Sequence, residues 1–186
     1  SEYQSIAASG GNDTIHISSG DDEIRGQGGN DTYVLDTGIG SGRVRIYAND
    51  DAGSDTLHIG GGRDADDLRM RIDSTGKLAV FVEGMPVDQV EISNYLNGVE
   101  KISFDDNSFI DLTGGLTLHD VTDTVGTMLK GTAFDDTITS GGGADTINAG
   151  AGNDVIHLSA DGGLAYGEDG NDTLTVIGGN NTTLYG

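Results

Sequence analysis

The chain has 186 residues, 31 Asp+Glu against 9 Lys+Arg, a formal net charge of −22, 32 glycines, one proline and no cysteine or tryptophan. That balance excludes nucleic acid, whose affinity rests on Lys and Arg neutralising phosphates, and an anionic membrane surface as partners; the missing cysteines exclude disulfides as the staple. With 34% apolar residues the hydrophobic term alone does not offset folding entropy, so a bound cation, which would cancel the self-repulsion, is the natural complement.

The chain opens in repeat-like sequence, "SEYQSIAAS", and closes in it, "TTLYG", and so reads as a piece of something longer. From about residue 8 to 34 three units of nine follow one another: "ASGGNDTIH", "ISSGDDEIR" and "GQGGNDTYV". Each places an aspartate on a glycine-containing bend, Asp13, Asp22 and Asp31, and an apolar residue two positions later, Ile15, Ile24 and Tyr33. Residues 1–36 are expected to form a first block.

Residues 37–128 differ. Glycine thins out, and short alternating segments appear: 43–47, 55–59, 67–72, 77–82, 89–92, 100–104 and 108–112. Turn signals, "STGK", "EGMP", "LNGVE" and "DDNS", separate them. This predicts antiparallel hairpins that connect or cap the blocks, with Leu78, Val80, Val82, Ile92, Ile102 and Phe104 in their core. Arg43, Arg45, Arg63, Arg69 and Arg71 cluster here and are expected to pair with local aspartates.

The repeat returns in residues 129–186 with "GTAFDDTIT", "SGGGADTIN", "AGAGNDVIH", a degenerate "LSADGGLAY" and "GEDGNDTLT". Its aspartates are Asp136, Asp145, Asp154 and Asp172, and Gly163 holds the phase where one is missing.

The nonapeptide has a direct physical reading. Glycine permits left-handed backbone and hence a tight turn. The three residues around the apolar position make a very short half-buried strand. Two units make one flattened coil, so eighteen residues return the chain above its start. Asp13 then stacks on Asp31, and Asp136, Asp154 and Asp172 form a second column, with Asp145 on the opposite edge. Stacked carboxylates repel unless a hard cation lies between turns. Carboxylates together with carbonyls of Gly11, Gly20, Gly29, Gly143, Gly152 and Gly170 make an all-oxygen, flexible ligand set that suits several Ca2+ ions better than Mg2+. Absent thiolates and histidines out of phase disfavour zinc and copper. The Asp22 turn faces Gln4 or Gly40 and the Asp145 turn faces Gly163, so these are the weaker sites.

These units resemble G-G-x-G-x-D-x-U-x, the calcium-binding nonapeptide of the RTX (repeats-in-toxin), haemolysin-type family. "GQGGNDTYV" and "AGAGNDVIH" fit closely; "GTAFDDTIT" has Phe134 at the fourth-position glycine, and "ISSGDDEIR" lacks the first three positions' glycines. The resemblance implies an all-β fold of parallel β-roll (β-helix) blocks, here with the intervening antiparallel hairpin segment. It implies calcium uptake in a bacterial protein exported by type I secretion, hence a secreted, extracellular or cell-surface location.

No H-E-x-x-H or G-x-S-x-G occurs, so no catalytic constellation is expected. No apolar run reaches the roughly 20 residues of a membrane-spanning helix, so no membrane insertion by this segment is expected. His16 and His157 are expected on outward, solvated positions. The leading expectation is a calcium-binding structural module that folds on meeting extracellular calcium. The alternatives are a surface-layer, filament or adhesin segment that self-assembles or binds a cell surface, and a non-catalytic part of a secreted toxin or enzyme.

Overall fold

The computed structural model describes residues 3–17, 20–35, 42–47, 53–82, 90–93, 95, 98–119, 126–159, 162–178 and 180–186. The described residues are all-β, with stacked parallel strands that form β-solenoid turns. The chain divides into two compact units, residues 1–68 with 77–113, and residues 69–76 with 114–186. In chain order the first part contributes β1 (Gln4–Ala7), β2 (Thr14–Ile17), β3 (Asp22–Arg25), β4 (Thr32–Leu35), β5 (Val44–Tyr47), β6 (Thr56–Ile59), β7 (Leu68–Ile72), β8 (Leu78–Val82), β9 (Val90–Ser93), β10 (Lys101–Phe104) and β11 (Phe109–Asp111). Then follow β12 (Thr117–His119), β13 (Met128–Lys130), β14 (Thr137–Thr139), β15 (Thr146–Ala151), β16 (Val155–Leu158), β17 (Leu164–Asp169), β18 (Thr173–Val176) and β19 (Thr183–Tyr185).

In the first unit β1, β3, β5, β9 and β8 follow one another in one sheet, and β11-β10-β6-β4-β2 form the other. The expected eighteen-residue coil is present: Gln4 lies opposite Asp22, and Thr14 opposite Thr32, in parallel register. Because each strand presents alternate residues inward, the register stacks apolar side chains in two columns. Ile6, Ile24, Ile46 and Ile92 form one. Ile15, Tyr33, Leu57 and Ile102 form the other. From Ile24 and Tyr33 onward these side chains are at most 1% exposed. Each fully buried one contributes about 1.5–3 kcal/mol relative to exposure.

The second unit repeats the plan with sheets β12-β14-β16-β18 and β13-β15-β17-β19. Its columns are Leu118, Ile138, Ile156 and Leu174, and Leu129, Ile147, Ala165 and Leu184. Leu184 pairs with Ala165 one residue late on the eighteen-residue period.

Antiparallel pairing over 37–128 is present between β8 and β9 and between β10 and β11. The "DDNS" turn joins the latter pair: Asp106 accepts from the Ser108 N–H, and Asn107 takes a φ of 67°. For β5, β6 and β12, and for one side each of β9 and β10, the expectation of hairpins is corrected. β5 and β6 pair in parallel with β3 and β4, β9 and β10 continue those ladders, and β12 pairs in parallel with β14. The reason is that the intervening insertions lengthen loops without disturbing the alternating apolar pattern, and doubling a loop costs only about 0.6 kcal/mol. The six side chains expected in the core of this stretch, Leu78, Val80, Val82, Ile92, Ile102 and Phe104, are all buried. Its "EGMP" turn lies outside the described residues. Among the described residues no helix is long and apolar enough to cross a membrane.

Candidate metal centre

The bends between strands are set by glycine. Gly11, Gly20, Gly29, Gly143, Gly152 and Gly170 all have φ between 99° and 151°, a region closed to most side chains. At Gly29, Gly152 and Gly170 the stacking adds a second demand. A Cβ on Gly29 would run into the Gly11 carbonyl, and one on Gly170 into the Gly152 carbonyl. Successive turns therefore approach backbone to backbone, with carbonyl oxygens in the gap between them.

The aspartates form ladders along the turn edges. The Asp13 N–H donates to Asp31 Oδ1 at 2.9 Å. In the second unit the Leu116 N–H donates to Asp136 Oδ1 at 2.6 Å, Asp136 to Asp154 at 2.8 Å, and Asp154 to Asp172 at 3.0 Å. On the opposite edges Asp22 Oδ1 accepts from the Gln4 N–H at 3.1 Å, and Asp145 Oδ1 from the Thr127 N–H at 2.8 Å. Each carboxylate thus reaches back one turn and takes up a backbone donor that the bend leaves unpaired. Such charge-assisted bonds are the stronger kind.

One oxygen of each carboxylate does this. The other is a different matter. Oδ2 of Asp13, Asp31, Asp154 and Asp172 is buried and has no hydrogen-bond partner. Asp31 and Asp154 are each 1% exposed. A buried carboxylate oxygen without a donor or counter-charge costs several kcal/mol. Glycines make room for these groups: a Cβ on Gly26 would meet Asp31 Oδ2, and one on Gly167 would meet Asp172 Oδ2. Burial raises the Asp154 pKa; the Asp136 N–H opposes this, and the neighbouring carboxylates of Asp136, Asp172 and Asp135 reinforce it. Asp136 is the exception in its column, because the Thr132 N–H donates to its Oδ2 at 2.6 Å. This is the turn in which Phe134 replaces the fourth-position glycine.

The structure thus places Asp13 with Asp31, and Asp136, Asp154 and Asp172 together, in two separate columns. The residue opposite Asp22 in the following turn is Val44; Gly40, its counterpart on a strict period, lies outside the described residues. Sequence reasoning missed two continuations of the first column. The Asp31 N–H donates to Asp55 Oδ1 at 2.8 Å across 24 residues. The Asp55 N–H in turn donates to Glu100 Oε2 at 2.6 Å across 45 residues. The signal was local: "SDTLH" around Asp55 matches "NDTIH" around Asp13. Also missed was a second ladder one position earlier. The Asn30 N–H donates to Asn12 Oδ1 and the Ser54 N–H to Asn30 Oδ1, each at 2.9 Å; Asn153 and Asn171 continue the same pattern from Asp135.

The other candidates have ordinary roles. His16 is exposed, and His58 contacts Ser103 at 3.0 Å and Asp105 at 3.2 Å. Arg43 and Arg45 pair with Glu91, at 3.3 and 3.4 Å. Among the described residues no three His, Cys, Asp or Glu side chains converge on one point. The repeat edges instead offer one carboxylate per turn together with backbone carbonyls, an oxygen-only donor set. A hard, flexible divalent cation such as calcium fits it, and the unpartnered buried Oδ2 atoms are where its charge is missing.

The comparison with known families agrees with this chemistry. The family model of the RTX calcium-binding nonapeptide repeat matches in 4 copies, over residues 7–41, 128–162 and 164–183. No curated protein matches the chain well enough to count as a relative. The nonapeptide repeats of this family bind calcium. With repeats, strand register and carboxylate ladders in agreement, the chain carries RTX calcium-binding nonapeptide repeats.

Proposed function

We propose that this chain is a calcium-responsive structural module of a secreted or cell-surface bacterial protein, extended where calcium is scarce and folded where it is plentiful. The observation that carries the reading is the pair of buried, unpartnered carboxylate oxygens, Asp31 Oδ2 and Asp154 Oδ2. Without a cation they oppose folding; with one they become ligands. The strongest sites lie between the Asp13 and Asp31 turns, the Asp136 and Asp154 turns, and the Asp154 and Asp172 turns. Carbonyls of Gly11, Gly29, Gly152 and Gly170 complete them. Asp22 and Asp145, with the Gly20 and Gly143 carbonyls, make weaker ones. The blocks 1–36 and 129–186 carry these ions.

The net charge of −22 acts in the same direction. Each ion brings two positive charges and ties two turns, so its binding free energy becomes folding free energy. Extracellular calcium modules work at dissociation constants of about 10⁻⁴–10⁻³ M, far above the free calcium inside a cell, which keeps the chain extended for export. No catalytic step is assigned to this segment.

The test is far-ultraviolet circular dichroism of the full chain in chelator, in millimolar calcium and in millimolar magnesium. A β-spectrum that develops with calcium and not with magnesium supports the proposal. The same β-spectrum in chelator as in calcium overturns it.

A further inference from the structure

We propose a divalent-cation site at the margin of the matched repeats, between the Asp31 turn and the unmatched Asp55 turn of the first unit, with Asp31 Oδ2, the Asp55 carboxylate and the Gly29 carbonyl as ligands. It rests on the calcium reading above but concerns a turn that the nonapeptide period does not reach and the family model does not match.

Four observations converge on it. The first is register: β4 and β6 pair in parallel with Thr32 opposite Thr56, so Asp55 stands over Asp31 as Asp31 stands over Asp13. The second is the backbone. A Cβ on Gly53 would run into the Gly29 carbonyl, the same approach that Gly29 makes to Gly11. The third is the gathering of charge. Tyr33 Oη donates to Asp55 Oδ2 at 3.3 Å, and a Cβ on Gly26 would meet both Asp31 Oδ2 and Tyr33 Oη. Two carboxylates, 1% and 4% exposed, therefore border one glycine-lined spot, with Asp31 Oδ2 buried and unpartnered there. The fourth is support from behind: the Asp55 N–H is held by Glu100 Oε2, which fixes the Asp55 turn from the β10 side. Two buried carboxylates and a backbone carbonyl call for a hard cation, and oxygen ligands without a rigid octahedron favour calcium. Tyr33 is the positioning residue, because its hydroxyl orients the Asp55 carboxylate.

Tyr33 also supplies the readout. The chain has no tryptophan, so terbium, a calcium surrogate, is sensitised by tyrosine alone, and only by a ring close to the ion. The experiment measures calcium stoichiometry by equilibrium dialysis and tyrosine-sensitised terbium emission for the full-length chain, Asp55→Asn and Tyr33→Phe. Asp55→Asn is expected to bind one ion fewer at saturation while keeping the calcium-induced β-spectrum. Tyr33→Phe is expected to lose a large fraction of the emission per bound ion. An unchanged ion count in Asp55→Asn, or unchanged emission in Tyr33→Phe, overturns the site; the second readout stands even if Asp55→Asn fails to fold. Wild-type chain that takes up no calcium at all overturns the parent reading instead, and the dichroism titration separates that failure from this one.

Discussion

The Asp136 N–H and the Asp154 carboxylate lie 18 residues apart in sequence and 2.8 Å apart in space. The bond shows how a period of nine becomes a column. Two units close one coil, and the carboxylate of each turn satisfies the bend of the turn before it. In Asp154 one oxygen is consumed by folding, and the other is left for an ion.

Asp154 therefore serves two turns, accepting from Asp136 and donating its own N–H to Asp172. Asp154→Ala strands the Asp136 N–H, at a cost of about 1–3 kcal/mol, and removes a ligand from two expected sites. The calcium midpoint for β-structure should rise by roughly tenfold or more, since about 1.4 kcal/mol is tenfold. Asp22→Ala should raise it far less, because its neighbours in the stack are Gln4 and Val44, neither of which brings a carboxylate. Equal midpoints for the two variants in a dichroism titration would contradict the column.

Glycine at the first position of a unit acts through the carboxylate, not through the bend alone. Gly167→Ala puts a methyl against Asp172 Oδ2, whereas a methyl on Gly28 meets nothing within 4 Å. Gly167→Ala should weaken calcium uptake in the second unit. Gly28→Ala should stay within about 0.5 kcal/mol of wild type, as ordinary surface changes do. Isothermal titration of the two variants distinguishes a ligand cradle from a glycine preference spread over every turn.

The coil, the carboxylate columns and the inward positions were legible because they recur at a fixed period, and a period survives without any knowledge of packing. Asp13 over Asp31 follows from counting. Asp31 over Asp55, and Asp55 over Glu100, do not, because insertions displace the next turns while the strands still pair in parallel. The ladder of Asn12, Asn30 and Ser54 was hidden for another reason. Its members differ in type, and asparagine on a turn already has a local explanation as a turn former. Hairpins were expected across 37–128 because short alternating segments look alike whether their partner runs parallel or antiparallel. β8 with β9 and β10 with β11 took the antiparallel option.

The apolar columns of the first unit should carry their own share of stability beside the ions. Ile102 is fully buried in register with Leu57. Ile102→Ala should cost about 2–5 kcal/mol, measured by denaturant unfolding in saturating calcium, whereas Lys101→Ala on the exposed face should stay within about 0.5 kcal/mol. In hydrogen exchange under the same conditions, amides of 77–82 and 101–104 should exchange more slowly than those of the glycine bends. Equal rates would contradict a core there.

Acid should partly replace calcium. The Asp154 carboxyl has its pKa raised above the ordinary value of 3.8, chiefly by burial and further by Asp136, Asp172 and Asp135. A raised carboxyl pKa means that the folded metal-free chain holds its proton more tightly than the unfolded one. Ionisation of this group therefore costs stability, beginning as pH rises past 3.8 and complete once it exceeds the raised folded value. Below 3.8 both states are protonated and the penalty is absent. Neutralising the carboxylates also removes the charge of −22, leaving 9 Lys+Arg and 4 His to repel one another. In chelator, β-structure should thus increase as pH falls from 7 toward about 4. In calcium the dependence reverses, because protons compete for the ligand oxygens, and the calcium midpoint should rise over the same interval. A dichroism titration at several pH values checks both slopes. A metal-free chain whose β-signal falls on acidification would show that carboxylate repulsion is not what calcium relieves.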